Sequence, residues 1–191
     1  RSSAASDVYK RQGLHGTPTS FTLEERIATL EGGRFCVLAP SGLSAVSLVD
    51  MAFLQQGDEL LIPDNAYGPN KAFAGVELRR WGITHRFYDP LDPADLKAQI
   101  TPATRLVWLE APGSITLEYP DLPALTAVVR EANVGRARPV ITALDNTWGA
   151  GIAFNGFDLG ADVVMQALTK YPSGGADVLM GSVVTRDATL H

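Results

Sequence analysis

Four short stretches of this chain are almost wholly apolar: DELLIP (58–63), TRLVWLE (104–110), PVITAL (139–144) and DVVMQAL (162–168). Runs of this length, rich in Val, Ile and Leu and lacking a polar alternate face, fit strands buried on both sides. The segments between them carry helical spacing instead. Ser20 or Thr22 can cap a helix with Leu23, Ile27 and Leu30 on one stripe, stopped at Gly32-Gly33. Residues 43–56 read as a helix apolar enough to be largely buried, and further helices are expected over 69–80 and 93–100. Asp121 caps another with Leu122, Leu125, Val128, Val129 and Ala132 on one face, and FDLGA (157–161) reads as a short helical turn. FCVLAP (35–40), ITHRFY (83–88) and VLMGSVV (178–184) complete the strands. The expected fold class is α/β, a mostly parallel sheet with helices on both faces. Sheets of that kind hold ligands beyond the carboxyl ends of their strands.

Composition narrows the functional classes. The chain has 191 residues, 46% of them hydrophobic and 19% charged, which excludes disorder and sets its size at one domain, or one domain plus a fragment. A net charge of −5 argues against nucleic-acid and anionic-membrane partners. No apolar run reaches the ~18–20 residues of a membrane helix. The lone Cys36 forms no internal disulfide and fits a reducing cytoplasm, and His15, His85 and His191 lack ligand spacing for zinc. Residues 1–12 (RSSAASDVYKRQ) have no hydrophobic period and are expected to be a non-native or disordered leader. The other end stops just after an apolar strand, so a fragment missing both ends is expected.

Four polar positions fall where the sheet would present its carboxyl edge. Ser41-Gly42 joins a strand to a helix; free backbone N–H groups there make an anion site, although alone such a junction is only a turn. Tyr67, in the punctuated loop PDNAYGPN, can stack on a flat ligand or sit half-buried without one. Asp145 ends an apolar strand, where a carboxylate is costly unless a protonated heterocyclic nitrogen, a helix cap or a neighbouring Arg pairs with it. Lys170, preceded by Thr169, lies just past the next strand; a lysine in a cleft suits Schiff-base chemistry, whereas most lysines are solvated surface groups. Together an anion cradle, a stacking aromatic, a buried carboxylate and a lysine match the phosphate, ring face, pyridinium nitrogen and aldehyde of pyridoxal phosphate.

The segments GTPTSFTLEERIATLEGG, PSGLSAV, DNAYGPN, LEAPGSITLE, DNTWGAG and QALTKYPSGGAD resemble, in order, the Cys/Met-metabolism family of pyridoxal-phosphate enzymes. The likeness spans about residues 13–186 and leans to the β-eliminating branch, because GSIT follows the LE-x-P element where many relatives carry Asn. It implies a fold type I large domain, similar to aspartate aminotransferase, and a homotetramer of catalytic dimers. It makes Lys170 the Schiff-base lysine and Asp145 the partner of the pyridine nitrogen. Tyr67 becomes the ring-stacking tyrosine and a helper in proton transfer. Gly42 and Leu43 become backbone phosphate donors beside Ser41, and Thr169 a side-chain donor.

There are departures. The family's Tyr-Gly-Arg element falls on Gln12, Gly13 and Leu14, which removes one phosphate-directed charge. Ala167 stands where relatives often have Ser, and Gly175-Ala176 replaces a common His-Ser pair. The C-terminal small domain, with its carboxylate-gripping arginine, is expected to be absent, leaving this stretch inactive by itself. The expected reaction is β-elimination of cystathionine to homocysteine, pyruvate and ammonia. Its rivals are γ-elimination or γ-replacement on the same framework, a nucleotide-binding module, and a non-catalytic remnant with unmodified Lys170. The nucleotide reading lacks both G-x-G-x-x-G and G-x-x-x-x-G-K-[ST].

Overall fold

The structure is a computed structural model and describes residues 16–175 and 177–191. The leader, His15 and the Gln12–Leu14 departure lie outside the described residues. In chain order the elements are α1 (Pro18–Glu31), β1 (Phe35–Ala39), α2 (Gly42–Phe53), β2 (Glu59–Pro63) and α3 (Gly68–Phe73). Then follow β3 (Thr84–Tyr88), α4 (Pro93–Gln99), β4 (Thr104–Glu110), α5 (Leu122–Ala132), β5 (Ile141–Asp145), β6 (Val163–Gln166) and β7 (Gly181–Thr185). The seven strands form one sheet in the order β1-β7-β6-β5-β4-β2-β3, with β7 alone antiparallel to its neighbours. The carboxyl ends of β1, β2, β4, β5 and β6 therefore share one edge.

The apolar runs bury both faces as their composition requires. Leu61, Val107, Leu109, Leu144 and Val164 pack beneath α1, α4 and α5 through Ile27, Leu96, Leu122, Leu125 and Val129. Their sequence neighbours Leu60, Ile62, Leu106, Trp108, Ala143 and Val163 pack on the opposite face against Ala45, Val46, Val49 and Leu78 of the α2–α3 side. The period of two along each strand divides the core into two layers.

Several local expectations are corrected. The α1 cap is Thr17, not Ser20 or Thr22: Ser20 N donates to Thr17 Oγ1 at 3.2 Å and Thr17 N donates to Ser20 Oγ at 2.7 Å. This reciprocal pair satisfies two helix-end donors, with Pro18 pre-set for the first turn. Leu30 leaves the expected stripe and is exposed, whereas Ile27, Ala28 and Glu31 turn inward. Helix α2 is half-covered rather than largely buried, since Leu43, Leu48 and Met51 face outward. The helix over 69–80 widens into a π turn at Ala74–Leu78. FDLGA is a turn without a helix, ending on Gly160 at φ 97°. Strand β6 stops at Gln166 because Ala167 N turns away to donate to Thr147 Oγ1 at 2.9 Å.

One buried acid joins the α2 layer to the sheet. Asp50 is fully buried, and its Oδ1 accepts from Trp108 Nε1 at 2.8 Å, while Oδ2 has no partner among the described residues. Burial pushes its carboxyl up to about 7. Between the unfolded value near 3.8 and about 7 the folded chain holds a proton that the unfolded chain releases, so this acid lowers stability as pH rises through that window. Asp50→Asn keeps the acceptor for Trp108 and cannot ionise. Its stability relative to the wild type should rise by about 2–4 kcal/mol from pH 4 to pH 7.5, read by urea unfolding. Parallel stability curves would contradict this.

Candidate active site

Loops leaving the shared carboxyl edge enclose a cavity of about 950 Å³. Ser41, Gly42, Leu43, Tyr67, Asp145, Thr169 and Lys170, the residues singled out from sequence, all line it. They arrive at or just beyond the ends of β1, β2, β5 and β6, so only the finished sheet brings them together.

The first wall is the start of α2. Ser41 caps that helix, its Oγ accepting from Ser44 N at 3.0 Å and sharing a hydrogen bond with Ser44 Oγ at 2.9 Å. The N–H groups of Gly42 and Leu43 precede the first intrahelical bond and have no helical acceptor, which leaves them for an anion. Two close approaches hold this helix end in place. A Cβ on Gly42 would lie 2.7 Å from Ala167 Cβ, and one on Gly181 would lie 2.4 Å from Ser41 O. Larger residues would push the helix start away from the segment leading to Lys170.

The cavity floor is acidic. Asp145 ends β5 and is 9% exposed. Its Oδ1 accepts from Thr147 N at 3.0 Å and from Thr147 Oγ1 at 2.5 Å, and no hydrogen bond from a described residue falls on Oδ2. Burial raises the proton affinity of this carboxyl, and the two Thr147 bonds oppose the rise. A cationic N–H facing the cavity would supply the missing compensation. Thr147 Oγ1 also accepts from Ala167 N at 2.9 Å, which ties the end of β5 to the backbone three residues before Lys170.

Lys170 is exposed and forms no ion pair among the described residues, so its amine is available to a ligand in the cavity. Thr169 is already engaged: Oγ1 donates to Met180 O at 3.2 Å and accepts from Met180 N at 3.1 Å. To donate to an anion it would have to release that carbonyl. Tyr67 is 40% exposed at the rim. Trp148 and Tyr171 form the other aromatic rim, with ring centroids 6.3 Å apart.

Sequence reasoning passed over Glu110, Ser114 and Thr147. Glu110 carried the same signal as Asp145, an acid closing an apolar strand, and the two are register partners on β4 and β5. Its Oε2 accepts from Tyr67 N at 2.8 Å, and its Oε1 accepts from Ser114 N at 2.7 Å and from Ser114 Oγ. Burial and the charge of Asp145 push Glu110 up to about 7. Among the described residues no helix is long and apolar enough to cross a membrane, and no cluster of His, Cys, Asp and Glu could hold a metal.

Comparison with known proteins identifies the family. The family model described as "Cys/Met metabolism PLP-dependent enzyme" matches residues 2–191. Cystathionine beta-lyase MetC of Escherichia coli is 42% identical over 172 residues, covering 90% of this chain and 42% of that protein. Cystathionine beta-lyase of Bordetella avium is 40% identical, covering 100% of this chain and 46% of that protein. The L-alanine/L-glutamate racemase of a Wolbachia strain is 34% identical over 88% of this chain. The crystal structure of metB from Corynebacterium glutamicum superposes with a TM-score of 0.86 at 28% identity, covering 92% of this chain and 44% of that one. The chain thus spans less than half the length of these relatives, and within that span it belongs to the Cys/Met-metabolism family of enzymes that use pyridoxal 5'-phosphate as cofactor.

Proposed function

We propose that this chain is the cofactor-binding part of a carbon–sulfur lyase that converts cystathionine and water to homocysteine, pyruvate and ammonia. The observation that carries the reading is the convergence of Lys170, Asp145, Tyr67 and the α2 N-terminus on one cavity. Each matches a different part of pyridoxal phosphate. The N–H groups of Gly42 and Leu43, behind the Ser41 cap, suit its phosphate. The unengaged side of Asp145 suits its ring nitrogen, and the exposed amine of Lys170 suits its aldehyde. When bound, the cofactor supplies a conjugated ring that accepts the electron pair left at the substrate α-carbon.

The residues of the chain divide the remaining work. Asp145 Oδ2 keeps a proton on the ring nitrogen, because releasing it would leave a buried carboxylate uncompensated beside Glu110. Lys170 Nζ would hold the cofactor's aldehyde end, and it is the base placed to take the α-proton of the substrate and later return one. Tyr67 covers a ring face and shares in moving protons. Ser41, Gly42 and Leu43 hold the phosphate end fixed while the other end reacts, and Thr169 joins them if its hydroxyl leaves Met180 O. The substrate is a small amino-acid thioether, the working form a homo-oligomer, and the compartment the cytoplasm. Cystathionine beta-lyase relatives at 40–42% identity support the β-elimination over its γ counterpart.

Product analysis tests the reaction. The protein completed to the length of its relatives should release pyruvate and homocysteine in equal amounts from L-cystathionine. Formation of 2-oxobutyrate and cysteine instead would overturn β-elimination. In the same assay Asp145→Asn should lower kcat by roughly 100-fold or more while KM changes little, since the charge it removes faces the ring nitrogen and not the substrate. A kcat within a factor of two of the wild type would remove Asp145 from the proposed chemistry.

A further inference from the structure

Glu110 is 3% exposed at the end of β4 and is not among the residues that line the cavity. Its register partner is Asp145, so two carboxylates sit side by side at a buried sheet edge. That placement is unfavourable, and packing gives no reason for it, since an apolar residue ending TRLVWL would bury at less cost. The compensation comes from its donors, which all belong to loops bordering the cavity. Tyr67 N donates at 2.8 Å from the connection after β2, and Ser114 donates through both N and Oγ from the connection after β4. Tyr67 and Ser114 both line the cavity.

Resting on the cofactor reading above, we propose that Glu110 is a positioning residue: its carboxylate fastens the Tyr67 and Ser114 rims to one point, and so sets where the tyrosine ring lies over the bound cofactor. Above about pH 7, where Glu110 is ionised, the three donors meet an acceptor with no hydrogens of its own. An amide in its place would turn an N–H toward either Tyr67 N or Ser114 N. The rest of the contact between the two loops is weaker. Asn65 Nδ2 reaches the exposed Glu118 Oε2 at 3.3 Å, and Gly113 packs so closely on Asn65 that a Cβ there would lie 2.4 Å from its amide nitrogen. That contact holds the loops near each other but leaves the backbone of Tyr67 to Glu110.

The role has readouts that a merely structural acid would not move. Glu110→Gln should lose protection from amide exchange at Tyr67 and Ser114 together, by about 10-fold, with Leu144 in the adjacent strand unchanged. This first readout uses protein without cofactor. In the completed protein the same variant should weaken pyridoxal phosphate binding about 10-fold and reduce the induced circular dichroism of the cofactor band, with the unfolding temperature of the cofactor-free form held or raised. In a Tyr67→Ala background the further change Glu110→Gln should cost less than threefold, because the tyrosine it positions is already gone.

Unchanged exchange at Tyr67 and Ser114 would overturn the fastening. Normal affinity and dichroism, or a full additional 10-fold loss in the Tyr67→Ala background, would overturn the positioning of the ring. A wild-type protein that does not bind pyridoxal phosphate would overturn the cofactor reading and the ring placement, an outcome separate from the exchange result.

Discussion

The ends of β4 and β5 place two acids next to each other where water is nearly excluded, and the surrounding site is arranged around compensating them. Glu110 is compensated from within the chain, by the two loops it holds. Asp145 is only half compensated, since among the described residues both hydrogen bonds to its carboxylate come from Thr147 and fall on one oxygen. A buried carboxylate with one engaged oxygen, lining a cavity, raises the affinity of that cavity for a cationic N–H. The asymmetry between the neighbours explains why one acid serves as a fastening and the other suits a ligand.

The same edge is braced from behind. Glu31, at the buried end of α1, accepts from Asn146 Nδ2 at 2.8 Å and from Gln166 Nε2 at 2.6 Å. These are the residues that follow Asp145 and end β6, so a helix at the start of the described chain sets the spacing of the two strands that lead to Asp145 and Lys170. Burial pushes Glu31 up to about 7, with the two amides opposing the rise. On the cavity side, Gly42 against Ala167 and Gly181 against Ser41 O bring α2 close to the same segments. Position at this edge is therefore fixed from several sides at once, as chemistry on a bound ligand demands.

Much of this was legible in the sequence because the strongest signals are local. Strands buried on both faces must be apolar at every position, and DELLIP and TRLVWLE said so directly. An acid or lysine just beyond such a run lands at the sheet edge, which is how Asp145 and Lys170 could be read as neighbours in space from positions 25 residues apart in the chain. Errors arose where a specific contact, local or tertiary, overrides the general preference. Thr17 outcompetes Ser20 as a cap because Ser20 is needed as its reciprocal partner. The outward face of α2 carries Leu48 and Met51 although composition suggested burial, since the sheet covers only one side of that helix. The antiparallel entry of β7 leaves no mark in VLMGSVV, whose apolar run fits either direction. Glu110 was passed over because its role exists only once β2 and β4 are adjacent.

The most direct test of the account is borohydride reduction of the completed protein in the presence of pyridoxal phosphate, followed by peptide mass mapping, with Lys170→Ala as control. One stable cofactor-sized mass addition is expected, on the peptide containing Lys170, and none there in the control. Additions scattered over other lysines, or an unmodified Lys170 peptide, would contradict it.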